Sequence, residues 1–247
     1  MIATGNFGLW AFLVPTKPFI VAIDGPAGAG KSSVSKILAR RLGFVLVDTG
    51  AIYRCVALAA HRAKIPAEDD RALKSLLAQI EIDFQMGTDE NNVLLAGEDV
   101  SALIRTPEIS MNASKVSGRG VVREALLGLQ RRFALHAPTG AVLEGRDIGT
   151  VVFPEADAKF FLLANSEVRA RRRYEELFQK GVESTLEKVL ADQTQRDRDD
   201  STRQLAPLKP ADDALPVDSS QLPLSEVVQL MERTVRSKMA TRSLRQD

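Results

Sequence analysis

The residues most able to do chemistry form one short run, GPAGAGKS at 25–32, directly after the apolar stretch FIVAID. The run fits G-x-x-x-x-G-K-[ST], with Gly25, Gly30, Lys31 and Ser32 at the fixed positions. Gly25, Gly28 and Gly30 let the backbone curl so that its N–H groups point inward, and the first turn of a following helix adds the positive end of its dipole. Lys31 is then expected to reach the β and γ oxygens of ATP, and the Ser32 hydroxyl to touch Mg²⁺ directly or through water. An ordinary glycine-rich turn is the alternative, but it leaves the strand pattern before the loop and the helix pattern after it unexplained.

Transfer of a phosphoryl group needs little covalent chemistry and a great deal of charge neutralisation and alignment, so arginines aimed at one spot are the next thing to seek. Arg54 lies in TGAIYR, at the start of a helix that follows the second strand, and Arg146-Asp147 follows the strand AVLEG. Both fall at the carboxyl edge of a parallel sheet, where ligands collect. Arg54 also reads as a solvated helix arginine; a charge pair at a buried strand end needs a partner. A third cluster, RDRDDSTR at 196–203, alone reads as a solvated face. Beside a phosphate loop it reads as a mobile, arginine-bearing lid that neutralises charge and excludes water. Arg169, Arg171, Arg172 and Arg173 have only Tyr174 for an aromatic neighbour, which favours a helix with one face near the donor nucleotide over a nucleic-acid patch.

The elements that must position these residues are legible from periodicity. Phe19–Ile23 is a buried strand pattern, VSKILARRL carries helical spacing closed by Gly43, and FVLVD at 44–48 is a second strand. A helix is expected from Gly50 to Ala63 with Thr49 as its N-cap. From about Lys64 to Ser117 the pattern changes to a helical piece at 71–79, short strands at 81–84 and 93–95, and a helix after Pro107, which reads as an insertion. The main pattern resumes with the helix VVREALLGLQRRFAL, the strand AVLEG, the strand AKFFLLA at 158–164 and the helix SEVRARRRYEELFQK capped by Ser166. The segment from Glu183 is expected to be helical at first, then a charged stretch ended by Pro207 and Pro210. DALPVDSS is a fifth strand despite Pro216, and PLSEVVQLMERTVRSKM a terminal helix. Alternating strands and helices predict an α/β fold, a P-loop NTPase-type doubly wound, five-stranded parallel sheet.

Composition bounds the function. The chain of 247 residues is 45% hydrophobic and 26% charged, enough to bury a full core, and its net charge of +1 gives no bulk attraction to nucleic acid or an acidic membrane. Cys55 cannot form an internal disulfide, and His61 and His136 are too few for a zinc site. GLWAFLV at 8–14 is too short to span a bilayer and has no basic residue before it, so residues 1–17 are expected to be a dispensable extension. The expected protein is a cytoplasmic monomer that binds small molecules, with no nucleic-acid or membrane partner.

Several longer motifs, GPAGAGKSS, DTGAIYR, GEDVSALIRTPEI, VREALLGLQRRF, GRDIGTVVFP and RDRDDSTR, appear in order from Phe19 to the terminal helix. Their series resembles that of bacterial cytidylate kinases, nucleoside monophosphate kinases that phosphorylate CMP and dCMP. The resemblance implies a kinase core at 18–63 and 118–247, an inserted nucleotide-binding subdomain at 64–117 and a lid at 181–206. It implies a donor loop of Gly25, Pro26, Ala27, Gly28, Ala29, Gly30, Lys31, Ser32 and Ser33. Many members have Gly-Thr where this chain has Ser32-Ser33, which leaves open which hydroxyl faces the metal or the α-phosphate. The family's acceptor-phosphate arginines match Arg54, Arg146 and Arg203. Its base contacts match Ser114, Arg123 and Asp147, its ribose contacts Arg196 and Asp200, with the Thr49 hydroxyl near the acceptor and Arg172 near the ATP base. Lys31, Arg146 and Arg203 carry the catalytic electrostatics in this reading. Cytosine offers an N4 amino donor where uracil has an acceptor, so a carboxylate such as Asp147 favours cytosine. The loop alone cannot choose an acceptor, and another nucleoside monophosphate or small-metabolite kinase on the same fold stays open. A nucleotide-dependent switch or nucleic-acid-dependent ATPase is the more distant alternative. A guanine-reading N-K-x-D is absent from the sequence.

Overall fold

The computed structural model describes residues 17–85, 92–179 and 181–244; the apolar run at 8–14 and the rest of the expected extension before Lys17 lie outside them, as does Lys180. The first strand, β1 (Phe19–Asp24), is buried along its whole length. It lies between β6 (Gly140–Gly145) and β7 (Ala158–Leu163), with Phe19 opposite Gly140 and Val21 opposite Ala158. With β2 (Val45–Asp48) and β8 (Leu215–Asp218) the sheet runs β2-β6-β1-β7-β8, every pairing parallel. Helices cover both faces, and this is why the strands read as continuous apolar runs. Val21, Ile23, Phe160 and Leu162 pack against Val34 and Leu38 of α1 (Lys31–Leu42) and Met231 and Val235 of the terminal helix α8 (Leu224–Ser243). Ile20, Ala22 and Leu143 face the opposite layer with Ala134 of α5 (Gly120–Leu135).

From β1 the chain crosses to β2 on one side; from β6 it crosses to β7 on the other. That reversal opens a crevice beyond the carboxyl ends of β1 and β6, the place where open parallel sheets bind ligands. The glycine loop follows β1 and Arg146-Asp147 follows β6, so both arrive at this crevice.

Between α2 (Thr49–Arg62) and α5 the chain forms α3 (Asp70–Leu77), a small antiparallel sheet of β3 (Ile82–Gln85), β4 (Asn92–Leu95) and β5 (Glu98–Asp99), a 3₁₀ turn at Leu103–Arg105 and α4 (Pro107–Ser117). Their apolar side chains, among them Leu73, Ile82, Val93, Ile104 and Ile109, pack with Ile52 and Val56 of α2 and Leu126 of α5 into one core. This segment therefore leans on the two helices that flank it in sequence.

Four local features differ from the sequence reading. Asp48, not Thr49, caps α2: its Oδ1 accepts the Ala51 N–H at 2.9 Å, while the Thr49 hydroxyl donates across the sheet to the Glu144 carbonyl at 2.7 Å. At the start of α6 (Ser166–Gln179), Asn165 Oδ1 accepts the Glu167 N–H, so the cap is one residue earlier than Ser166. The charged stretch RDRDDST is not irregular but completes α7 (Leu186–Thr202), because one face of that helix buries Val189, Gln193 and Asp200. A five-residue π-helical turn, Ile148–Val152, follows β6 where no helix was expected. Pro216 is tolerated because β8 is an edge strand. Among the described residues no helix is long and apolar enough to cross a membrane.

Candidate active site

The glycine loop is shaped by close approach. Gly25 has φ +148°, and a Cβ there would lie 2.1 Å from the Leu162 carbonyl oxygen; one at Gly28, φ +75°, would lie 2.7 Å from Gln193 Nε2. The outside of the loop is held by α6, α7 and the end of β8. Arg169, buried on α6, donates to the Ala27 carbonyl at 2.9 Å and pairs with Asp197 of α7 at 2.6 Å. Ser219 Oγ donates to the Ala29 carbonyl at 3.1 Å. Arg172 binds Ser219 through its hydroxyl and carbonyl and lies beside Gly30, whose Cβ position is 4.0 Å from Arg172 Nη1. Of the basic run, Arg169 and Arg172 thus face the loop, whereas Arg171 is exposed and Arg173 pairs with Glu176.

Lys31, the first residue of α1, curls over the loop and donates to the Gly25 and Pro26 carbonyls, each at 2.8 Å. Burial, reinforced by the Arg146 and Arg196 charges, holds its ammonium well below the usual lysine pKa, against the pull of Glu144 and Asp24. Ser32 Oγ donates to Glu144 Oε2 at 2.9 Å. Burial, then the Asp48 charge, pushes the Glu144 carboxyl up to about 7. Ser33 is exposed on the next position of the helix.

Across the crevice the acceptor-side residues gather around two aspartates. Arg123, in the first turn of α5, donates to Asp147 Oδ2 and to the Ser117 carbonyl, and its guanidinium lies 5.6 Å from the centre of the Tyr53 ring. Arg203 lies 3.8 Å from Asp147 Oδ1 and 3.5 Å from Asp200 Oδ1. Arg146 Nε donates to Asp200 Oδ2 at 2.8 Å. Burial would raise the Asp200 carboxyl, but Arg146, Arg196 and Arg203 outweigh it and hold it below its ordinary value. Arg196 is pushed down to about 10, by burial first and the Arg146 charge second. Arg196 Nε and Arg203 Nη2 are buried and, among the described residues, have no hydrogen-bond partner, an arrangement that suits an incoming polyanion. Arg54 pairs with Asp48 at 3.7 Å and stands one turn into α2.

Lys31, Ser32, Thr49, Arg54, Arg123, Arg146, Asp147, Arg196, Asp200 and Arg203 are therefore brought to one crevice. Ser114 is more remote. It lies on α4 one turn before the Ser117 carbonyl that Arg123 binds, and among the described residues no hydrogen bond joins its side chain to the cluster. Glu144, Asp48 and Asp24 are not among the residues that the sequence singles out for the site, whereas Arg169 is, as part of the basic run. Glu144 and Asp24 were detectable in principle, each being the one charged residue in an otherwise apolar strand run.

Asp24 is 4% exposed, and its carboxyl is raised to about 6, chiefly by burial and against two backbone hydrogen bonds. Because the folded state binds this proton more tightly than an unfolded chain at 3.8, wild-type stability contributed by this group falls as pH rises from about 4 to about 6. Relative to Asp24→Asn, the wild type is expected to lose several degrees of its Tm advantage between pH 4 and pH 7. A Tm difference that stays constant over that range would contradict the raised value.

The sequence profile of the cytidylate kinase family matches residues 21–237. Similar curated proteins include the cytidylate kinase of a Geobacter species, 54% identical over 221 residues that span 90% of this chain and 94% of the relative. That of Citrifermentans bemidjiense is 53% identical with the same coverage, and that of Mannheimia succiniciproducens is 48% identical over 213 residues, 86% of this chain and 94% of the relative.

Proposed function

The chain belongs to the cytidylate kinase family, and from that premise we propose how its residues carry out ATP-dependent phosphorylation of CMP and dCMP. The observation that carries the reading is the convergence of Lys31, Arg146, Arg196 and Arg203 with Asp147 beyond the ends of β1 and β6. A phosphate oxygen of the acceptor attacks the γ-phosphorus in line. One O–P bond forms as the bond to the β,γ-bridging oxygen breaks, giving CDP or dCDP and ADP. No protein base is required, since the acceptor phosphate is ionised at neutral pH. Lys31 and the loop N–H groups hold the donor phosphates, while Arg54, Arg146 and Arg203 hold the acceptor phosphate and offset the negative charge spread over the transferring group.

The donor set beside the loop suits Mg²⁺: the Ser32 hydroxyl and the Glu144 carboxylate are hard oxygen ligands already within hydrogen-bond reach of each other. Bound there with the donor phosphates, Mg²⁺ would neutralise charge on the β and γ oxygens. We assign acceptor binding to residues 64–117 together with α2 and α5, closure over the substrates to a lid at 181–206, and the ribose to Arg196 and Asp200. Ser114 belongs to the base side only if closure brings α4 inward. Monomeric action in the cytoplasm is part of the same proposal, with residues 1–17 dispensable for it.

Asp147 reads the base. A carboxylate oxygen accepts from the cytosine N4 amino group and repels the uracil O4, while the Arg123 hydrogen bond holds the side chain in place. Asp147→Asn, which can turn an N–H toward O4, is expected to lower the CMP:UMP ratio of kcat/KM by about 10- to 100-fold, with the KM for ATP within twofold of wild type. Steady-state kinetics with both acceptors test this, and an unchanged ratio would exclude Asp147 as the reader.

A further inference from the structure

Asp24 closes β1 immediately before the donor loop, yet its side chain does not face the loop. Its two oxygens are divided between two successive amides: Oδ1 accepts from Ile148 N–H and Oδ2 from Gly149 N–H, each at 2.8 Å. These amides open the π-helical turn, where the first N–H groups of a helix have no partner within it. They also follow Arg146-Asp147 directly. The Asp147 carbonyl accepts from Val151 and Val152, so its backbone is pinned on one side by the turn and on the other by Asp24. A Cβ at Gly149 would lie at ordinary contact, 3.4 Å, from Asp24 Oδ2, and 3.1 Å from Lys159 Cδ.

We propose that Asp24 is a positioning residue for acceptor selection: a single buried carboxylate, covalently continuous with the donor loop, fixes the turn that presents Arg146 and Asp147. The strut ties the two substrate sites to one strand end, so the distance between donor phosphates and acceptor-reading groups is set by β1 rather than by the lid. Backbone that is held by two charge-assisted hydrogen bonds moves little, and sub-ångström placement is what a base-reading carboxylate requires. The inference rests on the reading of Asp147 given above.

The test is the CMP:UMP ratio of kcat/KM in Asp24→Asn, compared with wild type and with Asp147→Asn. An asparagine keeps the shape but sets an N–H against one of the two amides. The expected result is a roughly tenfold fall in the ratio and a raised KM for CMP, with the KM for ATP within twofold. A ratio does not depend on how much enzyme is folded, so a merely structural role would not move it. A fall in Asp147→Asn with no change in Asp24→Asn overturns the positioning role and leaves the Asp147 reading standing. No change in either variant overturns both. If Asp24→Asn does not fold, Asp24→Glu, which keeps the charge but displaces it by one methylene, is expected to lower the ratio in the same way, and a wild-type ratio overturns the proposal. If neither folds, hydrogen exchange in the wild type decides: strong protection of the Ile148 and Gly149 amides with and without CMP is expected, and rapid exchange of either overturns it.

Discussion

Lys31→Met is expected to lower kcat by about 10³ or more while leaving the melting temperature within a few degrees of wild type. The two halves of this expectation have one cause. Lys31 is 7% exposed, and burial together with Arg146 and Arg196 disfavours its charge. Among the described residues the ammonium donates to the Gly25 and Pro26 carbonyls alone, with Glu144 as a partial countercharge. A methionine of similar length removes the desolvation penalty at neutral pH and fills the same space, and this offsets the two lost hydrogen bonds. What it cannot do is meet the β and γ oxygens with positive charge, which the donor phosphates would otherwise receive from a group already in place. Single-turnover kinetics and thermal melting of the variant check both halves. A kcat within tenfold of wild type would remove Lys31 from the transfer step, and a large fall in Tm would show that the charge supports the loop.

Arg203→Ala is expected to lower kcat by about 10² to 10³ and to raise the KM for CMP, with the KM for ATP little changed. Arg203 caps the C-terminal end of α7 and lies between Asp147 and Asp200, with Nη2 buried and, among the described residues, not hydrogen-bonded. Its charge lies against the two carboxylates, and Arg146 remains after its removal, so the expected loss is large without being complete. Arg203→Lys is expected to recover only part of the rate, because a point charge does not reproduce the guanidinium fork that spans two oxygens. Turnover at the wild-type rate in Arg203→Ala would exclude this residue from the transition state.

How much of this site was legible in the sequence follows from how local each piece is. The donor loop is written in consecutive residues, because its phosphate grip is made of its own backbone and the next side chain. Arg54 and Arg146-Asp147 were placed by topology: a charged residue just past a buried parallel strand must emerge at the ligand edge. The triad Arg196, Asp200 and Arg203 was harder. Its members fall at i, i+4 and i+7, one face of a helix, but the charges suggested that the helix breaks before them, whereas it runs unbroken to Thr202. Their face is stabilised by what it packs against, the donor loop and Arg146, which periodicity does not reveal. The base and ribose contacts came from family resemblance, since Arg123 reaches Asp147 only through the packing of α5 on the end of β6. Glu144 is absorbed into a strand pattern read as core, and Asp24 reads only as the residue that closes the first strand. The role of each depends on the parallel pairing of β1 with β6 and on a π-helical turn that carries no sequence signature of its own.

The most direct measurement is acceptor-dependent ADP release with Mg·ATP and a panel of CMP, dCMP, UMP, AMP and shikimate, each at about 1 mM, near the upper end of usual KM values. Fast turnover confined to CMP and dCMP is the predicted result. UMP or shikimate turned over faster than CMP, or ATP bound with no acceptor-dependent turnover at all, would contradict the account.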